Sequence, residues 1–485
     1  MKRPLGALLP ALGAALAACS LAPDYRVPDS PAPAPAFQEG GDWKQAQPAD
    51  SLPRGSWWTI YQDARLDGLE DQAGNANQDL KAAFAQLQQA RAEARIARVA
   101  YFPAITAGST VTRSRTSANA PTYSPTKPII ANDFTLDADL SYEIDVWGRV
   151  RNTVAAARAG EQASAADLVT LDLSIRAELA SDYLTLRSID AQQDLFDRTV
   201  EDYARALQLE QNLYAGGAAA LTDVAQAEAQ LETARTLAAD NHLKRAQLEH
   251  AIAVLVGQPA TGFRLEPQPL PLDTLPPVID PGLPSALLER RPDVAAAERR
   301  VVAANAGIGV ARAAYFPVFS LTGAAGFEST GAGSWIEAPS RMWSIGPSAL
   351  LTVFDAGLHR AQSEQAHAAY DEQVADYRGT VLRAYQEVED NLAALRQLDL
   401  ESHSAAAAVT ATRKELQQAN FRYKGGVATY LEVVTAENAS LQAQLSSHDI
   451  QTRQLTANVL LVKALGGGWR QGMATPGGGA AAGAP

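Results

Sequence analysis

The sequence predicts a mixed α and β fold, written twice in tandem, with one β-hairpin and a set of long helices in each copy. Three observations predict it. Short segments recur at nearly fixed offsets: Tyr101-Phe102-Pro103 returns as Tyr315-Phe316-Pro317, Tyr214-x-Gly216-Gly217 as Tyr423-x-Gly425-Gly426, and Leu255-Val256-Gly257 aligns with Ala464-Leu465-Gly466. The last two matches share an offset of 209 residues and the first has 214, so the first copy carries five extra residues between Pro103 and Gly148. Residues 134–146 alternate strictly between apolar and polar, the period of a strand, and two proline-free stretches carry apolar residues mostly three and four apart, the period of a helix.

The chain opens with Lys2 and Arg3 ahead of an apolar run from Leu5 to Ala18, which reads as a secretory signal over residues 1–18. The run ends Leu16-Ala17-Ala18-Cys19, and Cys19 is the single cysteine of 485 residues. An ordinary signal ahead of an unrelated cysteine is one reading. The other is a resemblance to the bacterial lipobox, whose cysteine becomes the acylated first residue. Ser20 then stands where that resemblance places the aspartate of inner-membrane retention, so an outer-membrane address is expected. Residues 19–63 form a Pro/Ala-rich leader.

The first copy spans residues 64–257. Ala64 to Ala100 is rich in Ala, Gln and Arg and is expected to be one helix, stopped by Pro103. A hairpin follows over about 104–147: a Thr/Ser/Gly/Ala-rich strand, a polar loop from Ser114 to Ala131, then the alternating strand. Phe134, Leu136, Ala138, Leu140, Tyr142, Ile144 and Val146 share one face of that strand, while Asp137, Asp139, Glu143 and Asp145 share the other. From Arg149 the period turns helical and stays so to Tyr214; an unbroken helix of that length would be about 100 Å long at roughly 1.5 Å per residue, which calls for coiled-coil packing. Residues 258–289 are a linker with eight prolines between Pro259 and Pro284. The second copy, residues 290–466, repeats the plan with a hairpin at about 318–354, and 467–485 is a Gly/Ala-rich tail.

Composition narrows the function. The balance of 41 basic against 54 acidic residues, a formal charge of -13, argues against a nucleic-acid partner. One cysteine and six scattered histidines provide no metal-ligand spacing and no nucleophile-base constellation, so neither an enzyme nor a cofactor site is expected. No run of eighteen apolar residues follows the signal, so a membrane crossing requires a closed barrel. Two hairpins cannot close one. Two copies would supply eight strands and three would supply twelve; a soluble sandwich with one wet face is the alternative. In a barrel the acidic strand face points inward, because the apolar face meets lipid.

The run Leu287-Leu288-Glu289-Arg290-Arg291-Pro292-Asp293-Val294-Ala295-Ala296-Ala297-Glu298-Arg299, continuing to Tyr315-Phe316-Pro317, resembles the signature of outer-membrane efflux channel lipoproteins, the exit ducts of tripartite resistance-nodulation-division pumps. Trp57-Trp58 with Asp63 and Leu66, Asn77 with Leu80, and the closing Lys463-Ala464-Leu465-Gly466-Gly467-Gly468-Trp469 are similar too. The resemblance implies a homotrimer with a twelve-stranded barrel in the outer membrane, a tunnel of twelve helices in the periplasm, and an equatorial girdle built from the termini and the central linker. It implies two protein partners, a periplasmic adaptor and an inner-membrane transporter, and outer-membrane lipid joined through Cys19. It places the turns Tyr214, Gly216, Gly217 and Tyr423, Gly425, Gly426 at the periplasmic mouth, where the adaptor docks. Just beyond, the family narrows its pore with a leucine, an aspartate and an arginine; here those positions are Leu431, Thr435 and Asn438, so the hydrophobic ring is kept and the ionic part is missing from this copy, with Asp223 of the other copy expected to supply some charge. The implied function is passive conduction of antibiotics and other small molecules. A protein-secretion duct of the same fold and a lipid-anchored coiled coil without a pore are the alternatives. Arg290 to Asp293 is read as structural, with Pro292 opening a helix and Asp293 favouring its positive end. Gly307 and Gly309 are read as small residues for close helix packing.

Overall fold

The computed structural model describes residues 20–29, 55–119, 121, 126, 130–277, 279 and 290–467. The signal, Cys19, most of the Pro-rich leader and the Gly/Ala tail lie outside the described residues. In chain order the elements are a short 3-10 helix Trp57–Tyr61, α1 (Ala64–Ala76), α2 (Gln78–Val99), β1 (Ala104–Arg115), β2 (Ile130–Ile144), α3 (Arg149–Ala215), α4 (Leu221–Leu255), α5 (Pro292–Ala313), β3 (Val318–Ser329), β4 (Arg341–Leu350), α6 (Leu358–Lys424) and α7 (Tyr430–Ala464). The duplication is exact in length where it matters: α3 and α6 have 67 residues each, α4 and α7 have 35 each.

Two expectations change. The helix expected from Ala64 to Ala100 is broken at Asn77, which has ψ 132 and leaves the helical region. The Asn77 side chain explains the break, since its amide donates to the Leu255 carbonyl (2.9 Å) and its oxygen accepts from the Leu80 N–H (3.0 Å), capping α2. Strand β2 starts at Ile130, four residues before the strict alternation, and β1 runs on to Arg115, because the backbone ladder continues through Arg115 and Ile130 whatever the side chains are.

The chain divides into two compact units. One comprises residues 20–29, Gln86–Ala165 and Ala296–Arg378. It holds a single four-stranded antiparallel sheet in the order β1-β2-β3-β4, so each copy gives one hairpin and β2 joins them to β3. Trp147 locks the sheet to the start of α3: its indole donates to the Pro317 carbonyl (2.8 Å) and its ring stacks on Phe316 at 4.7 Å between centroids. The leader segment lies along α5, where Asn305 donates to the Pro23 carbonyl (2.9 Å) and Tyr25 donates to Glu298 (3.2 Å). A Cβ on Gly309 would meet the Ala22 Cβ at 2.7 Å, whereas one on Gly307 would meet nothing, so only Gly309 is held by close packing.

The other unit takes residues 55–85, the described part of 166–295 and 379–467. Its core gathers Trp57, Trp58, Leu66 and Leu69 with Leu179, Tyr183 and Leu186 of α3, Ile252 of α4, Phe263 and Leu270 of the linker, and Leu455 and Val459 of α7. Full burial of each such side chain contributes on the order of 2 kcal/mol, and this core draws on every segment of the unit. Charged clamps fix its edges. Asp63 caps α1 through the Arg65 and Leu66 N–H groups and accepts from Arg187 (2.7 Å) and the Tyr183 hydroxyl (2.9 Å). Arg176 lies 4.5 Å over the Trp58 ring, bonds Asp172 (2.9 Å) and reaches Glu70 at 3.5 Å. Burial pushes the Glu70 carboxyl up to about 8, which outweighs the pull of Arg176.

Arg291 is the third clamp, and it gives the Arg-Arg-Pro-Asp run its structural role. Pro292 and Asp293 open α5 as expected. Arg291, 8% exposed, pairs with Asp293 (2.7 Å) and Glu387 (2.6 Å) and donates to the Ala464 carbonyl at the end of α7 (3.0 Å). Arg291→Ala is expected to lower stability by about 2–3 kcal/mol, because two carboxylates and a helix-end carbonyl lose one shared donor. Arg291→Lys is expected to recover less than half of that, lacking the planar fork. Thermal melts of the purified variants check this, and a wild-type melting temperature for Arg291→Ala would remove the clamp.

Candidate functional site: the sheet faces and the helix tips

The register of the sheet sorts its side chains onto two faces. In an antiparallel pair, directly opposite residues point the same way. Leu140 opposes Ile105 and Gly323, Tyr142 opposes Leu321, and Gly323 opposes Ile345, so Ile105, Leu136, Leu140, Tyr142, Leu321, Trp343 and Ile345 share one face. Trp343, at 79%, and Ile105, at 69%, are largely exposed there. The other face carries Thr106, Thr110 and Thr112 of β1, Asp137, Asp139 and Glu143 of β2, Ser320, Thr322 and Glu328 of β3, and Ser344 and Ser348 of β4. One face is built for hydrocarbon and the other for water. Both edge strands, β1 and β4, have a second side with no partner strand among the described residues.

The four acidic residues singled out in the sequence separate. Asp137 and Asp139 sit mid-strand on the polar face. Glu143 shares that face at the strand's end but is neutralised by Arg149, whose Nε lies 2.7 Å away. Asp145 is corrected: it lies beyond β2, and its carboxylate accepts from the Val150 and Arg151 backbone N–H groups (2.9 Å each) at the start of α3, with the Arg151 guanidinium alongside (3.1 Å). The positive end of α3 captures it. Asp133 and Glu328 also belong to the polar face; the strict alternation starts only at Phe134, and the sequence ends the second copy's first strand at Phe327, one residue short of Glu328.

The two helix turns have identical backbones. Ala218 donates to the Leu213 carbonyl (2.8 Å) and Gly217 to that of Tyr214 (2.9 Å); Val427 donates to Arg422 (3.0 Å) and Gly426 to Tyr423 (2.9 Å). This pair of bonds closes a helix end around a residue with positive φ, which Gly217 (φ 74) and Gly426 (φ 70) supply at no steric cost. The tyrosines differ. Tyr214 is 47% exposed. Tyr423 turns inward, packs its ring at a tilt against Tyr430 (5.7 Å between centroids) and donates its hydroxyl to the fully buried Glu210 (2.6 Å), tying the end of α6 to the end of α3. Of the two tyrosines read as docking residues, one is exposed and the other is a brace.

The positions read as a constriction lie on one face of α7. Leu431 is 55% exposed, and Thr435 and Asn438 follow it four and seven residues on, both exposed. The Thr435 hydroxyl donates to the Leu431 carbonyl (2.8 Å), so it is spent on its own helix. Asp223 likewise turns back to its own helix, accepting from the Ala220 N–H (3.1 Å) at the start of α4. Sequence reasoning missed Glu437, half a turn along on the buried side. Burial, helped by Asp202, pushes its carboxyl up to about 7. Among the described residues no group of three or more His, Cys, Asp or Glu could hold a metal ion, and no helix is long and apolar enough to cross a membrane.

A sheet with a lipid-type face, a hydrated face and two open edges, in a chain that also carries paired helices of this length, is the plan of an outer-membrane channel protein. The comparisons agree. The outer membrane efflux protein family matches residues 69–258 and 283–467, once in each copy. The outer membrane protein OprJ of Pseudomonas aeruginosa is 34% identical over 481 residues, covering 97% of this chain and 98% of its own. The toluene efflux pump outer membrane protein TtgF of Pseudomonas putida is 34% identical over 476 residues, covering 95% and 96%. Among solved structures, the outer-membrane channel OprN has a TM-score of 0.84 at 31% identity, covering 93% of this chain and all of its own. The MtrE channel of Neisseria gonorrhoeae, in its open state, has a TM-score of 0.76 at 29% identity, covering 93% and 98%. The chain belongs to the outer membrane efflux protein family.

Two outcomes follow from the tip. Tyr423→Phe leaves buried Glu210 without its donor and is expected to cost about 1–3 kcal/mol, while Tyr214→Phe is expected to stay within about 0.5 kcal/mol. Thermal melts with limited proteolysis at the turns compare them, and equal effects would erase the asymmetry. Glu437 has a folded pKa above its unfolded value, so its contribution favours folding below the ordinary carboxylate range and is lost as pH rises from about 4.5 towards about 7. Hydrogen exchange in the first turns of α7, corrected for intrinsic rates, is expected to speed up across that window, and Glu437→Gln is expected to flatten the change. An unaltered pH profile in the variant would show that another group titrates.

Proposed function

We propose that this protein is the outer-membrane exit duct of a tripartite multidrug efflux pump. Three copies close one barrel of twelve strands, and the duct passively conducts antibiotics and other small molecules delivered by an inner-membrane resistance-nodulation-division transporter through a periplasmic adaptor. The observation that carries the reading is the two-faced sheet with open edges, in a chain whose relatives serve toluene and other efflux pumps. A lone chain in hydrocarbon would leave the outer rows of β1 and β4 unbonded, and each orphaned backbone group costs several kcal/mol. Closure by further copies removes that cost.

The remaining roles follow the same logic. Cys19, in its lipobox-like setting, carries the acyl chains that supplement the barrel as an anchor. The turns at Gly216-Gly217 and Gly425-Gly426 present bare backbone to the adaptor, with Tyr214 the exposed side chain beside them. Leu431 narrows the duct beyond the turns, and neither Thr435 nor Asn438 adds an ionic lock. The lumen carries Asp133, Asp137, Asp139 and Glu328 from each chain on the hydrated face.

Planar bilayers test the reading. Purified protein is expected to conduct and to prefer cations, with reversal potentials in a salt gradient moving towards neutrality in Asp137→Asn/Asp139→Asn. A strain lacking the gene is expected to become sensitive to several unrelated antibiotics. A protein that never conducts would favour a lipid-anchored coiled coil, and wild-type anion preference would reverse the assignment of the two faces.

A further inference from the structure

A cavity of about 700 Å³ opens between α2 and α3 in the sheet-bearing unit. Arg91, Arg95 and Arg98 line it from α2, spaced four and three residues apart on one helix face, and Arg158 lines it from α3. Its lining includes a single carboxylate, Glu161, 3.7 Å from Arg91. The guanidinium groups of Arg95, Arg98 and Arg158 form no ion pair and no hydrogen bond among the described residues. In a chain of formal charge -13, four guanidinium groups around one cavity with one acid are an unneutralised positive site. A bound anion relieves their mutual repulsion, and the guanidinium fork matches phosphate oxygens two at a time.

The position of the cavity narrows the choice of anion. Tyr101 lines it, and the apolar-faced strand β1 begins at Ala104, so Arg98 lies roughly 10 Å short of the sheet at helical rise. Around the same junction Phe102 is 71% exposed, Tyr315 47% and Phe316 38%. Exposed aromatic residues at the end of a lipid-type face mark the level of the membrane interface. Phosphate groups of lipids lie just beyond that level, and the cavity has room for a headgroup with more than one phosphate.

We propose that the α2–α3 cavity binds the phosphate headgroup of an anionic phospholipid, held by Arg95, Arg98 and Arg158, in the leaflet nearer the helices. The proposal rests on the membrane reading of the sheet and adds a ligand that nothing in the conduction reading requires. Soluble phosphate shares the chemistry, so the test separates the two sources.

Full-length protein in a neutral maltoside detergent is heated while its oligomeric state is followed by light scattering, alone or with cardiolipin, phosphatidylcholine or inorganic phosphate. Cardiolipin is expected to raise the dissociation temperature by about 5 °C. Phosphatidylcholine and millimolar inorganic phosphate are expected to leave it within about 1 °C. Arg95→Gln/Arg98→Gln/Arg158→Gln is expected to lose most of the cardiolipin shift while conducting as the wild type does. Should the triple variant fail to fold, Arg158→Gln alone is expected to halve the shift, and native mass spectrometry is expected to show fewer retained lipids per chain. An equal shift from phosphatidylcholine, or its full retention in the variants, overturns the site. Reproduction of the shift by inorganic phosphate overturns the lipid as source. A triple variant that is monomeric without lipid shows that the arginines serve the contact between copies and also overturns it. A wild type that does not conduct would instead remove the membrane reading, whatever the lipid shift.

Discussion

The constraint on which the rest depends is that hydrocarbon offers no hydrogen bonds to a peptide backbone. Four strands joined by two hairpins satisfy each other inwardly and leave the outer rows of β1 and β4 open. In water that would be a tolerable edge; in a membrane it is not. On the proposed reading, association of identical chains completes the secondary structure, since another copy would supply the last backbone bonds of each sheet. The side chains obey the same demand. Ile105, Leu140, Trp343 and Ile345 share one face, and the other face carries mostly threonine, serine, glycine and acids.

Away from the sheet the problem is different. Helices of 67 residues offer a narrow apolar stripe and much alanine, so hydrophobic burial alone specifies little about where one helix stops against another. Polar clamps provide that specification. Asp63 with Arg187 and Tyr183, Arg176 with Asp172 and Glu70, and Arg291 with Asp293, Glu387 and the Ala464 carbonyl each tie together segments far apart in sequence. Several of these groups are nearly buried, and a wrong alignment of the helices would leave them charged and alone, at a cost well above that of a misplaced leucine. The same logic explains Gly74, whose missing side chain leaves room for the Arg176 guanidinium.

Duplication produced two halves with one backbone and different chemistry. All four long helices close with the same pair of terminal bonds, at Gly217, Gly257, Gly426 and Gly466. Side chains at matching positions have diverged: Tyr214 is exposed while Tyr423 braces Glu210, and Asp223 bonds its own helix start while its counterpart Glu432 pairs with Arg422 at 3.0 Å. A duplicated duct can in this way keep its helix geometry from one copy and specialise the contacts of the other.

The sequence by itself determined what depends on local periodicity and on the conformational limits of single residues. Strand alternation from Phe134, the helical steps after Arg149, the prolines ending and opening helices and the glycines at the turns are all near-neighbour effects, and the internal repeat doubled the evidence for each. The phase of β2 was legible for the same reason, since its side chains alternate strictly. The tertiary structure alone decided what depends on partners distant in sequence. Nothing local distinguishes Asn77 from other polar helix residues until Leu255 stands beside it, and nothing near Asp145 shows that it leaves the acidic row for the start of α3 until the strand is seen to end at Ile144. The inward turn of Tyr423, the raised carboxyl of Glu437 and the cluster of arginines between α2 and α3 likewise arise from packing, which brings together groups that the chain keeps apart.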